Sequence, residues 1–108
     1  MKVDVLGTTY EIKVIGSDKD AYLNDMDGYC DETVKTIVVD DMQDVGGNSK
    51  KELKVYQNNV MRHELIHAFL FESGLSNSST WAQNEELVDW IAIQFPKMEK
   101  IFRDLNII

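Results

Sequence analysis

Residues 63–67 read His63-Glu64-Leu65-Ile66-His67. On an α-helix, positions i and i+4 lie on one face, so both imidazoles can point at a single ion. Glu64 lies between them and can reach a water on that ion. Zn²⁺ suits neutral imidazole, takes tetrahedral coordination and draws the pKa of a bound water down toward about 7. A carboxylate beside that water can take its proton while the oxygen attacks a carbonyl. The HExxH pattern therefore predicts metal-assisted peptide hydrolysis, with His63 and His67 as ligands and Glu64 as general base. Three fixed positions also arise by chance. Here, though, the chain has two histidines in its 108 residues, and both fall in the pattern.

A catalytic zinc needs a third protein ligand and an open fourth position. The candidates are Glu85, Glu86, Asp89 and Cys30. At helical spacing, Trp81, Val88, Ala92 and Phe95 form one stripe, and Glu85 falls inside it. A carboxylate in a buried stripe is costly unless something satisfies it, and a metal shared with His63 and His67 would do so. Glu86 lies about 100° around the helix, beside Trp90 and Ile93, and is the alternative carboxylate ligand. The plain reading of both glutamates is a favourable interaction with the helix N-terminus. Asp89, one turn beyond Glu85, can accept the second ring N–H of a ligand histidine and fix its orientation. Tyr56 shares the histidine face and either packs or polarises a carbonyl. Tyr22, Tyr29, Arg62 and Arg103 are the other donors available to an oxyanion.

These side chains need two helices and something to hold them. Ser49 with Glu52 forms a capping box for a helix over about 50–73, which Gly74 ends in a left-handed conformation. Thr80 with Gln83 forms a second capping box, for a helix from near Trp81 to at least Phe95. Pro96 should end or kink it, with a further helical piece over 97–105. Upstream, alternation predicts antiparallel strands over about 2–6 and 9–15 around a Gly7 turn. Residues 18–27 read as a short helix or a loop. Strand character returns at 28–30 and 35–40, and 41–49 reads as a loop. Strands first and helices after predict a single α+β domain over 1–108, with a small, largely antiparallel sheet of three or four strands packed on the HExxH helix and a second helix.

Composition narrows the function classes. The chain carries 11 basic and 19 acidic residues, a net charge of −8, and no clustered basic face for a phosphate backbone. No nucleic-acid partner is therefore expected. No apolar run approaches the length of a membrane span, and the first ten residues lack the apolar core of a secretory signal. The single cysteine, Cys30, rules out an internal disulfide framework and fits a reducing compartment. The expected setting is the cytoplasm.

HELIH followed by Asn84-Glu85-Glu86-Leu87-Val88-Asp89 resembles the gluzincin zinc metallopeptidases, whose signature is HExxH on one helix and N-E-x-x-x-D on the next. The resemblance covers residues 60–92. It implies His63, His67 and Glu85 as zinc ligands, Glu64 as base and Asp89 as partner of a ligand histidine. Seventeen residues separate His67 from Glu85. That short spacing is similar to the minimal phage- and prophage-encoded gluzincins, including the ImmA/IrrE-type peptidases. In that class the strand before the helix is the sheet edge where a peptide or protein substrate pairs, which would be 35–40. Two alternatives stand beside it. One is a non-catalytic, metal-stabilised protein-binding module. The other is a deformylase-like metallohydrolase with Cys30 as third ligand, although the surrounding deformylase motifs are missing.

Overall fold

A computed structural model describes residues 1–43 and 51–108. The Ser49 cap and most of the 41–49 loop fall outside the described residues. The architecture is α+β: four strands in one mixed sheet, followed by helices.

Strand β1 (Lys2–Val5) and strand β2 (Thr8–Ile15) pair antiparallel, with Val5 opposite Thr8. The hairpin loop is Leu6-Gly7, with φ of 51° and 93°. Two positive φ angles give the turn a twist that matches the flanking strands. The Asp4 carboxylate accepts the Gly7 N–H at 2.7 Å and closes it. Residues 18–27 contain a 3-10 turn, Ala21–Asn24, capped by the Asp20 carboxylate. Strand β3 (Gly28–Asp31) and strand β4 (Thr36–Asp40) form a second antiparallel hairpin.

The strand order is β1-β2-β4-β3. Two of its three pairings are antiparallel, as expected, and β2 and β4 pair in parallel, so the sheet is mixed. The chain leaves β2, crosses to the far edge to make β3, and returns beside β2 as β4. One expectation is corrected: the 35–40 strand is interior, and the edge on that side is β3. Ile37, Val38 and Val39 are consecutive and all buried. Such a run suits a strand covered on both faces.

Helix α1 (Leu53–Glu72) lies across the sheet. It begins later than expected, at Glu52, whose side chain makes no capping bond. Its Val60 and Ala68 join Val5, Tyr10, Ile12, Ile37, Val39 and Met42 in the core. Gly28 permits the close approach of α1 to β3. A Cβ there would stand 2.7 Å from a Val60 methyl and 3.0 Å from the Val38 carbonyl oxygen. Gly74, at φ 85°, follows the helix as expected. A short helix α2 (Leu75–Ser78) and a 3-10 turn, Thr80–Gln83, lead into helix α3 (Glu85–Asp104).

The second helix departs from expectation at both ends. Its cap is Asn84, whose side chain accepts the Leu87 N–H at 2.9 Å, and not Thr80. At the other end α3 continues through Pro96 without a break. A proline in a helix leaves the carbonyl four residues earlier without its N–H partner. Here that carbonyl belongs to Ala92, and Arg62 Nε donates to it at 2.7 Å. A side chain from α1 thus supplies the missing bond and ties the two helices together. No helix among the described residues is long and apolar enough to cross a membrane.

Candidate metal centre

His63 and His67 occupy adjacent turns of α1, with ring centroids 4.9 Å apart and Nε2 atoms 3.2 Å apart. Glu85, the first residue of α3, reaches both. Its Oε2 lies 2.9 Å from His63 Nε2, and its Oε1 lies 2.9 Å from His67 Nε2. Donor atoms of these three residues all lie within 4.8 Å of one another. Tetrahedral zinc with bonds near 2.0–2.1 Å sets its ligand atoms about 3.3 Å apart. The three side chains fit that ion with small adjustments.

The contacts around Glu85 call for positive charge, supplied by protons on the imidazoles or by a metal ion. His63 Nδ1 faces Asp89 Oδ1 at 3.2 Å. A proton on Nδ1 donates to that carboxylate, which leaves a lone pair on Nε2. That lone pair points at the Glu85 carboxylate and at His67. In that tautomer the two electron-rich groups repel unless a metal ion sits between them; with Nε2 protonated instead, the same contacts are hydrogen bonds to Glu85. Burial works to raise the Glu85 pKa, but the charge of His67 and hydrogen bonds from both imidazoles outweigh it and hold the carboxyl below its ordinary value.

Glu64 is the one buried charged residue among the described residues, at 9% exposure. Its carboxylate makes no hydrogen bond or ion pair among them. Burial pushes its pKa up to about 7, against the lowering influence of His63. Burial of the residue and the lack of a donor, with the carboxylate on a cavity, leave this acid able to exchange a proton with something placed beside it.

The sequence placed His63, His67, Glu85 and Asp89 together, and the structure brings them together. Glu85 does not lie in a buried stripe, contrary to expectation. Val88 and Ala92 are buried, but Trp81 and Phe95 are each 47% exposed. Trp81 precedes the Asn84 cap and so lies off the helical rotation. The Glu85 side chain is itself 70% exposed and enters the site from its rim. Glu86 and Cys30 stay outside the converging group. Burial first, then Glu32, pushes the Cys30 thiol up to about 12, which works against a thiolate ligand. Among the oxyanion candidates, the Tyr29 hydroxyl is bound to Asp20, and Arg103 pairs with Glu99. Arg62 is held by Ala92, and Tyr22 is exposed. The Tyr56 hydroxyl donates to Asp27, a bond that, with burial, pushes it up to about 12.

Two cavities flank the centre. One, of about 470 Å³, is lined by His63 and Glu64 together with Asp27, Gly28, Val60 and Asp89. The other, of about 310 Å³, is lined by His67, Glu85, Glu32, Phe71 and Gln83. Sequence reasoning missed both, because their walls combine residues from β3, α1 and α3. A weak signal was present: Asn59 and Tyr56 precede His63 by about one and two turns and share its face. No protein-family model, curated protein or solved structure matches this chain.

Proposed function

We propose that the chain is a zinc-dependent metallopeptidase of the gluzincin kind. His63, His67 and Glu85 hold the ion, Glu64 is the general base, and Asp89 keeps His63 in the tautomer that presents Nε2. The observation that carries this reading is the convergence of those three donors beside a buried carboxylate that has no other partner. A zinc ion held there supplies Lewis acidity to the attacking water and to the scissile carbonyl. Glu64 takes the proton of that water and returns it to the leaving amine. The lone, half-buried Cys30 supports a reducing, cytoplasmic setting.

The sheet edge supports a path for the substrate. Gly28 opens β3 and lines the first cavity; Glu32 follows β3 and lines the second. The metal centre borders both. An extended peptide paired along β3 would run from one cavity to the other across the ligands.

The test has two parts. Elemental analysis of the purified protein should find zinc, close to one ion per chain. The zinc-loaded protein should cut peptides, and Glu64→Gln should not. Protein that holds no zinc and refuses it, or a Glu64→Gln variant as active as the parent, overturns the proposal.

A further inference from the structure

The larger cavity lies on the Gly28 side of the centre, and apart from the His63 imidazole its charged lining is acidic. Asp27, Glu64 and Asp89 contribute three carboxylates, and no lysine or arginine lines it. Arg62 lies in the neighbouring groove with its guanidinium on the Ala92 carbonyl and Asn59. Glu64 adds an observation beyond charge: it is nine-tenths buried, faces this cavity and has no hydrogen-bond donor. Val60 and Ile93 supply apolar wall, and Asn59 supplies an amide. Asp27, an exposed residue of the lining, stands outside the metal machinery, and the Tyr56 hydroxyl donates to its carboxylate. A carboxylate has about four acceptor sites, so that bond leaves capacity for a further donor.

From this arrangement we infer that the cavity receives a lysine or arginine side chain of the substrate, with Asp27 as the specificity-determining residue. Val60 and Ile93 pack the aliphatic stem, and the cationic head reaches Asp27. The inference rests on the peptidase reading for the origin of that side chain, and it stands apart from it in the experiment. Nitrogen-15-labelled protein is titrated with N-acetyl-lysine methylamide and with its norleucine counterpart, following the amide signals of Gly28, Asn59, Val60 and Ile93. The lysine probe should bind about tenfold more tightly, the worth of one charge-assisted hydrogen bond. Asp27→Asn, which can still accept the Tyr56 hydroxyl, should remove the difference. Equal binding of the two probes, or a preference that survives Asp27→Asn, overturns the inference. So does magnesium or calcium alone displacing the lysine probe, since the cavity is then an inorganic cation site. Digestion of a mixed peptide pool separates the two claims. Cuts enriched beside lysine or arginine support both. Cuts without that enrichment overturn the cation pocket and leave the peptidase. Lysine binding with no cuts keeps the pocket and removes the peptidase.

Discussion

Helix α1 carries two glutamates, Glu64 and Glu72, whose surroundings are opposite. Glu72, in the last turn, is surrounded by donors. The Thr8 hydroxyl binds it at 2.9 Å, the Tyr10 hydroxyl at 2.7 Å and the Lys35 ammonium at 2.8 Å. Lys35, then Tyr10, holds its pKa down at about 2. Glu64, eight residues earlier, is more deeply buried, has no donor, and is pushed up to about 7. One carboxylate is closed into a clasp between α1, β2 and the strand hairpin. The other is nine-tenths buried and unpaired, and lines a cavity with His63. A fold selected for stability alone would pair or replace a carboxylate like Glu64. Its isolation marks the middle turns of α1, beside the candidate metal centre, and the clasp marks the last turn, which is tied to the sheet.

The largest way to break this contrast is Glu64→Gln. It should lower hydrolysis by at least about a hundredfold, the usual weight of a positioned general base. It should also leave zinc content unchanged and the thermal midpoint equal or higher, because a buried unpaired charge is removed. Peptide cleavage, elemental analysis and calorimetry on one preparation read all three. A variant that loses zinc along with activity would make Glu64 a ligand. Next in size is the contrast between neighbouring acids on α3. Glu85→Ala should weaken zinc binding by more than the roughly 10- to 100-fold typical of removing a ligand's hydrogen-bond partner. Asp89→Asn should fall within that range, and Glu86→Ala should change little. Competition with a chelator of known affinity orders the three, and a larger effect at Glu86 would reassign the ligand.

The site was legible in the sequence wherever its geometry is local. His63 to His67 is one helical turn, and Glu85 to Asp89 is another, so spacing alone aligned each pair. The α+β class and the Gly74 stop were equally local. What was hidden depends on partners far apart in the chain. Strand 35–40 looks the same at an edge or in the interior until β3 is placed outside it, although its Ile-Val-Val run hinted at burial on both faces. Pro96 reads as a helix stop because nothing near it reveals that Arg62 serves the Ala92 carbonyl. Asp27, itself exposed, reads as an ordinary loop acid until the fold sets it beside the Tyr56 hydroxyl of α1.

The Arg62 bond gives a sharper version of the comparison, because it ties together the two helices that carry the proposed ligands. Ala92 is fully buried, so its carbonyl loses its donor with no water to replace it. Arg62→Met should therefore destabilise the protein by about 1–3 kcal/mol, measured by urea unfolding. It should also loosen zinc binding, since Glu85 and Asp89 ride on α3 while His63 and His67 ride on α1. Restoring a backbone donor with Pro96→Ala in the same chain should recover most of the stability. If Arg62→Met is silent, the helix passes Pro96 for another reason.

The smallest effect belongs to the clasp, and its sign follows from the shift. Folding lowers the Glu72 pKa from 4.5 to about 2. Between those values the unfolded chain binds more protons at this residue than the folded one. The stabilisation is complete above about pH 4.5 and is lost as pH falls through about 2. Glu72→Gln cannot titrate and cannot form the ion pair with Lys35. It should lower the urea midpoint at neutral pH and flatten the acid limb of stability between those two pH values. At neutral pH, cleavage by the fully zinc-loaded variant should match the parent's, since the clasp touches none of the ligands. A parallel acid limb in parent and variant would assign the acid sensitivity to other carboxylates. A loss of cleavage at full folding would mean that the clasp positions the site as well as the helix.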